Sequence, residues 1–192
     1  MKYMLASDIH GSAHYCRKML EAYRQSGADR LILLGDLLYH GPRNDLPQEY
    51  APKQVIAMLN EYKNEIIAVR GNCEAEVDQM VLEFPVMADY AILVLNGLTF
   101  FATHGHLFNQ DQMPPLKAGP VSFVQPLKAG DILVHGHTHL LKAEKVNGHY
   151  ILNPGSTSIP KGGNPATYAI LDEQDFKIFD FDGNVVKEAK LG

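Results

Sequence analysis

Side chains that commonly bind metal ions stand directly after apolar segments of the chain. Asp8 and His10 follow the apolar run 2–7, and Asp36 follows the run 30–34. The same arrangement recurs later in the chain at four further positions, Asn72, His104, His137 and His139. Carboxylate, amide and imidazole groups form a mixed oxygen and nitrogen set, which suits manganese, iron, zinc or a similar divalent ion. Calcium is disfavoured because it takes oxygen ligands only.

This set of ligand types is larger than one ion requires. Two ions could be satisfied if one carboxylate bridges them, and the candidate metal ligands are then Asp8, His10, Asp36, Asn72, His104, His137 and His139. Two divalent ions about 3.5–4 Å apart form the clamp that many enzymes use to hydrolyse phosphate esters. The residue types therefore predict a dinuclear centre for phosphoryl chemistry.

The first part of the chain alternates between predicted strands and predicted helices. Apolar runs at 2–7, 30–34 and 65–69 predict buried strands, and helical spacing predicts helices over 13–25 and 53–62. This alternation is typical of a parallel sheet with crossover helices. Because sites form at the carboxyl ends of parallel strands, the residues that follow these strands are expected to share one crevice.

The second part of the chain is predicted to be mostly antiparallel. Asn96-Gly97 and Asn147-Gly148 predict two β-hairpins, because Asn-Gly pairs favour tight hairpin turns. The other predicted elements are a short helix over 74–83 and strands over 132–134, 166–171, 176–181 and 185–188. We expect an α/β fold with two packed mixed β-sheets flanked by helices, in a single domain over 1–192.

In their order along the chain, these motifs resemble those of the calcineurin-like metallophosphoesterases and, more narrowly, the small YfcE-type bacterial phosphodiesterases. The resemblance is carried by the stretches ASDIHGS, LLGDLLYHGPRN, AVRGNCEAEVD, THGHLF, VHGHTHL and NPGSTSIPKGGNPA. They extend from residue 6 to residue 166, which is nearly the whole chain. A single GD or GN pair carries no weight, whereas the full ordered set is specific.

The resemblance implies a role for each candidate ligand. Asp8, His10 and His139 resemble the ligands of a first metal ion, and Asp36 resembles a bridging carboxylate. The ligands of the second ion would be Asn72, His104 and His137. The family hydrolyses phosphate esters by attack of a hydroxide that bridges the two metals. The implied cofactors are two divalent ions, with manganese favoured and iron, zinc, cobalt or nickel as alternatives.

The candidate catalytic residues are Asp36, Asn72, Cys73 and His104. Cys73 departs from the wider family, in which a histidine often follows the Gly-Asn pair and assists the leaving group. A thiol has a reference pKa of about 8.5 and is a weak hydrogen-bond donor. Substrates with good leaving groups are therefore expected to be favoured. The YfcE-type subgroup is similar in having a cysteine here, so the departure does not argue against activity.

Composition and charge limit the partners. The net charge of -5 disfavours nucleic acid as a partner, because nucleic-acid binding needs a basic face. No apolar run could span a membrane, and the N-terminus does not read as a signal peptide. Cys16 and Cys73 read as free thiols of a cytoplasmic protein. The expected partner is a small phosphate-ester substrate, and a homo-oligomer is left open.

Phosphodiester hydrolysis has three alternatives: phosphomonoester hydrolysis, a non-catalytic scaffold and a DNA nuclease. A phosphomonoesterase would use the same metals, and a non-catalytic scaffold would keep the fold, as one retromer subunit does. Retention of all seven ligand types argues against a scaffold, and the acidic composition argues against a DNA nuclease. The loop over 109–130 carries PLKAG twice and is interpreted as a surface loop, with a lid or an oligomer contact beside the site as the sharper hypothesis.

Several further residues near the motifs are predicted to support the site or to pack around it. His106 is predicted either to orient His104 or to be structural, and His135 to pack behind the site. Arg43 and Lys161 could meet substrate, although loop anchoring and solvation are favoured for them.

Overall fold

The computed structural model of the chain describes residues 1–109 and 130–192. Three helices lie within these residues: α1 (Ala13–Ser26), α2 (Pro52–Asn60) and α3 (Glu76–Gln79). The strands are β1 (Lys2–Ala6), β2 (Arg30–Leu33), β3 (Ile66–Ala68), β4 (Tyr90–Leu95), β5 (Leu98–Thr103), β6 (Ile132–Val134), β7 (Leu141–Val146), β8 (His149–Pro154), β9 (Thr167–Asp172), β10 (Asp175–Asp180) and β11 (Val185–Lys190). The duplicated PLKAG string and the proposed lid fall mainly on 110–129, outside the described residues.

The strands form two mixed sheets, as the sequence predicted. The first has the order β11-β10-β9-β1-β2-β3, and the second has the order β4-β5-β6-β8-β7. Strands β1, β2 and β3 are parallel, and β9 joins β1 in antiparallel orientation. In the second sheet β5, β6 and β8 are parallel, while the hairpin partners β4 and β7 are antiparallel to them.

The second half of the chain is mostly antiparallel, as expected, and the parallel centre of the second sheet is the exception to this pattern. The two predicted hairpins are confirmed, and their turns begin at Asn96 and Asn147, which have φ angles of 50° and 51°. Strand β6 is not part of a hairpin, and it lies between one strand of each. Strands β5 and β6 consequently end at the same edge, which brings the residues that follow them close together.

The two sheets pack face to face through alternate side chains of each strand. In β1, Tyr3 and Leu5 face the second sheet and contact the same cluster as Phe100 of β5 and Ile132 of β6. Met4 instead packs in the cluster that contains α1 and α2. Within 1–109 and 130–192, the helices cover the first sheet only, since the cluster on the outer face of the second sheet has no helical member.

Helix α1 begins and ends as its sequence predicts. The Ser12 side chain accepts a hydrogen bond from the backbone N–H of Tyr15, and Gly27 ends the helix with a φ of 65°. Helix α3 is shorter than the predicted 74–83. The carboxylate of Glu74 is occupied by backbone N–H groups of other loops, so Glu74 lies before the helix. Across the described residues, no helix combines the length and apolar character that crossing a membrane requires.

Candidate metal centre

All seven predicted metal ligands lie at one end of the two packed sheets. Asp8 and His10 follow β1, Asp36 follows β2, and Asn72 follows β3. His104 follows β5 in the second sheet, and the pair His137 and His139 follows β6. Each ligand therefore comes from a loop at the carboxyl end of a parallel strand, where open α/β sheets form their sites.

Three of the ligands form a first group. The Nε2 atom of His139 lies 3.1 Å from Oδ1 of Asp8 and 3.3 Å from Nε2 of His10. The Nε2 atom of His10 lies 3.6 Å from Oδ1 of Asp8. Two ligand atoms that each lie 2.0–2.2 Å from one ion are separated by about 3–3.5 Å in common coordination geometries. The spacing of this group is thus that of atoms facing one shared ion.

A second group forms around His104. Its Nε2 atom lies 3.2 Å from Oδ1 of Asn72 and 3.2 Å from Nδ1 of His137. A hydrogen bond orients the side-chain amide of Asn72, because its Nδ2 atom donates to Sγ of Cys73 at 3.2 Å. The amide oxygen is therefore the atom presented to His104.

Asp36 lies between the two groups. Its Oδ2 atom is 3.7 Å from Nε2 of His10 and 3.4 Å from Nε2 of His104. Its other oxygen, Oδ1, accepts a hydrogen bond from the backbone N–H of Cys73 at 2.9 Å. That bond fixes the carboxylate with one oxygen facing both groups, which is the position that a bridging ligand needs.

The residues present fit divalent cations. Oδ1 of Asp8 is buried and has no hydrogen-bond partner, because the neighbouring His139 nitrogen is close to it but not aligned for a hydrogen bond. An uncompensated buried carboxylate oxygen is costly, and a bound cation removes that cost. The surrounding donors are oxygens and imidazole nitrogens, a set that suits manganese, iron or zinc.

The pKa shifts indicate the same demand for positive charge. Burial opposes ionisation of Asp8, but the neighbouring imidazoles of His10, His104 and His139 hold the pKa of that carboxyl well below its usual range. Burial opposes protonation of His104, yet Asp36 and Asp8 raise the pKa of its imidazole to about 9. The carboxylates thus draw protons onto the histidines, and metal ions would replace those protons.

Backbone carbonyl groups orient three of the histidines. Nδ1 of His10 faces the carbonyl of Tyr39 at 2.8 Å, Nδ1 of His104 faces that of Leu34 at 2.7 Å, and Nδ1 of His139 faces that of Ile159 at 2.5 Å. Because a carbonyl can only accept, Nδ1 carries a proton, and Nε2 is the nitrogen that faces the site and could bind a metal ion in place of a second proton. His137 differs, since its Nδ1 is the atom near His104.

Five of the seven ligands have an unusual backbone conformation. The φ angles of Asp8, His10, Asp36, His137 and His139 lie between 49° and 64°. This left-handed region is strained for residues other than glycine, and such strain is concentrated at functional sites. Close packing adds a further requirement, because a Cβ atom on Gly136 would lie 1.9 Å from Oγ of Ser7. The loops of the two sheets can approach only with glycine at that position.

Glu74 is a supporting residue that the sequence analysis did not identify. Its buried carboxylate accepts hydrogen bonds from the backbone N–H groups of Asp36 at 2.8 Å, Leu37 at 2.7 Å and Gly71. Burial and the charge of Asp36 raise the pKa of Glu74 to about 6, against the lowering effect of these bonds. Glu74 thereby ties together the loops that carry Asp36 and Asn72. Its position beside a candidate ligand was the only sequence signal available.

The histidines outside the ligand set lie around it. The ring of His106 is 5.4 Å from that of His104 and 6.2 Å from that of His137, measured between centroids. His135 is buried beneath the site, and its Nδ1 lies 3.3 Å from the side-chain nitrogen of Asn153. Both positions agree with the supporting or packing roles expected for these residues.

A cavity of about 390 Å³ opens over the ligands. Its walls contain ligand side chains from both groups, including His10, Asn72 and His137, together with Cys73. Arg43 and Lys161 also line it, so the structure brings both of these cations to the site. Cys73 is half-buried beside the amide of Asn72.

We predict that Glu74→Gln lowers the free energy of unfolding by about 1–3 kcal/mol, because an amide NH₂ would face a buried backbone N–H and leave it without an acceptor. Urea unfolding of the metal-free protein measures this. Glu76→Gln is the matched control, since Glu76 is exposed in α3 and should change the stability by less than about 0.5 kcal/mol. Equal losses in the two variants would contradict the assigned role of Glu74.

Comparison with known proteins agrees with this geometry. The family model described as the calcineurin-like phosphoesterase superfamily domain matches residues 1–175. Phosphodiesterase YfcE of Escherichia coli (strain K12) is 51% identical over 172 residues, which are 90% of this chain and 88% of that protein. The solved structure of the E. coli phosphoesterase Yfce matches with a TM-score of 0.92 and 46% identity over 100% of both chains.

A more distant structure shares the fold. The zinc complex of Vps29 from Entamoeba histolytica has a TM-score of 0.58 and 17% identity, with 100% of both chains covered. The family resemblance drawn from the motifs is confirmed by the family model and by the identity to YfcE. The chain therefore belongs to the calcineurin-like phosphoesterase superfamily and is a metal-dependent phosphoric ester hydrolase.

Proposed function

We propose that the protein is a two-metal-dependent phosphodiesterase, which hydrolyses phosphate diester bonds by attack of a hydroxide that bridges the metals. The observation that carries this proposal is the position of Asp36, whose Oδ2 atom faces His10 of one ligand group and His104 of the other. The similarity to a protein named as a phosphodiesterase supports the choice of diesters.

Each ligand group would hold one ion. Asp8, His10 and His139 would hold the first, Asn72, His104 and His137 the second, and Asp36 would bridge them. We propose manganese as the metal, with iron, zinc, cobalt or nickel as alternatives of similar ligand preference. When bound, two such ions lower the pKa of a shared water toward about 7 and neutralise charge on the phosphoryl oxygens.

The residues of the chain supply the positioning. The carbonyl groups behind His10, His104 and His139 hold these imidazoles in one tautomer. The oriented amide of Asn72 stands at the cavity wall, where it is placed to contact a bound phosphoryl group as well as an ion, and the buried ring of His104 lies behind it. Such preorganised contacts act without rearrangement during the reaction.

Cys73 favours diesters with good leaving groups. The thiol lies at the cavity wall, and a thiol donates protons and hydrogen bonds weakly. Leaving groups that depart as stable anions need little protonation. A phosphomonoesterase with the same metals is the alternative activity.

A non-catalytic scaffold of the same fold is the second alternative. The likeness to Vps29 extends to the fold alone, whereas every ligand position here carries a competent side chain, and Asp8, His10 and His139 lie in the spacing of a metal site. We therefore favour the enzyme. We further propose that the substrate is a small phosphate ester and that nucleic acid is not a partner. The proposal is compatible with a monomer or a homo-oligomer. The proposed location is cytoplasmic, which is consistent with the free thiols of Cys16 and Cys73.

We predict that metal-stripped protein regains hydrolysis of bis(p-nitrophenyl) phosphate when Mn(II) is added, and that it cleaves p-nitrophenyl phosphate more slowly. Asp36→Asn should lower kcat/KM for the diester by at least about 100-fold, because the bridging position loses its charge. Elemental analysis should find two ions per chain in the wild type and fewer in the variant. Activity of the wild type that is independent of added metal would contradict the proposal.

We predict that Cys73→His broadens the range of leaving groups. An imidazolium can protonate a departing oxygen, and general acid catalysis contributes about 10²–10⁴-fold. The variant should gain at least about tenfold in kcat/KM on diphenyl phosphate, with a smaller gain on bis(p-nitrophenyl) phosphate. Cys73→Ser is the control, because it replaces the thiol without adding an acid. An equal gain with both substrates, or no gain, would show that proton supply does not limit this site.

A further inference from the structure

Two cationic side chains stand at the mouth of the cavity, on loops from different parts of the chain. Arg43 belongs to the loop between β2 and α2, and Lys161 belongs to the loop between β8 and β9. Both line the same cavity of about 390 Å³, together with His10, Asp36 and His139. They are exposed, so their charged groups are accessible to a ligand entering from solvent.

Each cation is carried by a loop that is fixed to the ligand groups. In the first loop, the Asn44 side chain donates a hydrogen bond to the carbonyl of His40 at 2.8 Å. Gly41 of this loop lies against Cys73, since a Cβ atom on it would be 3.3 Å from Sγ. The two ends of the turn that carries Arg43 are therefore held beside the reaction centre.

The second loop is fixed to a ligand directly. The backbone N–H of Lys161 donates a hydrogen bond to the carbonyl of His139 at 3.3 Å. The carbonyl of Lys161 accepts one from the Asn164 side chain at 2.7 Å. The backbone of Lys161 is thus held in place by a candidate metal ligand. Its side chain is part of the cavity lining.

Neither cation is neutralised by a neighbour that the structure describes. Arg17 and Arg70 each pair with a carboxylate, at 2.8 Å and 2.5 Å, whereas Arg43 and Lys161 form no ion pair with a residue in 1–109 or 130–192. The protein as a whole carries a net charge of -5. Two uncompensated positive charges at one mouth are consequently placed to attract an anion.

The remaining walls of the cavity indicate what kind of ligand it takes. Of the residues in 1–109 and 130–192, Asp36 is the only carboxylate that lines it, and Pro42 is the only residue of the lining with a fully aliphatic side chain. No phenylalanine, tyrosine or tryptophan lines it, so among the described residues there is no stacking platform for a base. Recognition here depends on charge and hydrogen bonds, and the volume exceeds that of one phosphate group.

We infer that Arg43 and Lys161 form an anion-binding rim that selects substrates with a second phosphate group on one ester arm. A phosphate diester carries a single negative charge, which the metal ions would already meet. Two further cations outside the ligand groups therefore match a further anionic group on the substrate, and charge-assisted contacts to phosphate are among the stronger polar contacts in proteins. This inference rests on the proposed phosphodiesterase function.

A pair of chromogenic diesters that differ by one phosphate tests the rim. The first is the p-nitrophenyl ester of thymidine 5′-monophosphate, and the second is the same ester with an added 3′-phosphate. The manganese-loaded wild type should show a kcat/KM about tenfold higher for the phosphorylated ester, and added salt should shrink this preference. Arg43→Ala and Lys161→Ala should each reduce the preference to about threefold or less, and the double variant should abolish it.

Arg24→Ala is the matched control, because it removes one exposed positive charge from the end of α1 that points away from the site. This variant should keep the full preference. Equal kcat/KM values of the wild type for the two thymidine esters, or a preference that survives in the double variant, would overturn the proposal that Arg43 and Lys161 bind a second phosphate group. Bis(p-nitrophenyl) phosphate separates the two proposals, because failure to cleave it would overturn the phosphodiesterase function itself, and the inference with it.

Discussion

The structure depends on bringing two buried carboxylates close together. Asp8 and Asp36 are almost fully buried, and both lie within 4.0 Å of the same nitrogen of His104. Like charges in a poorly solvated interior repel strongly unless positive charge lies between them. The surrounding imidazoles can take up protons to meet that demand, and divalent ions meet it with more charge and fixed geometry. The ligand set is therefore best understood as a cation-binding site, in which protons on the imidazoles can supply part of the positive charge that metal ions would supply.

The fold satisfies this constraint by strand direction and by strained loops. Parallel strands from both sheets end at one edge, so short loops deliver every ligand to the same place. The left-handed backbone at Asp8, Asp36 and His137 turns each side chain inward at a cost of about 1–3 kcal/mol per residue. The backbone N–H groups of Asp36 and Leu37 donate hydrogen bonds to the Glu74 carboxylate, and these bonds help to stabilise the strained loop that carries Asp36.

Much of this arrangement could be predicted from the sequence. Short apolar runs and Asn-Gly turns located the strands, and the order of the ligand motifs identified all seven residues that now lie together. The role of Glu74 could not be predicted, because it depends on three backbone groups that only the folded loops bring together. The carbonyl groups of Tyr39 and Ile159 that orient two of the histidines could not be predicted either, since every residue carries a backbone carbonyl. The parallel pairing of β6 could not be predicted, because local sequence patterns do not specify the order of the strands in a sheet.

These residues are proposed to hold two ions, with Asp36 between them. Anomalous X-ray diffraction from crystals soaked in Mn(II) tests this proposal most directly, because the signal locates manganese without assuming any coordination. We expect two peaks of similar height about 3.5–4 Å apart, one beside Asp8 and His139 and the other beside Asn72 and His137. A single peak, or peaks outside this ligand set, would contradict the account.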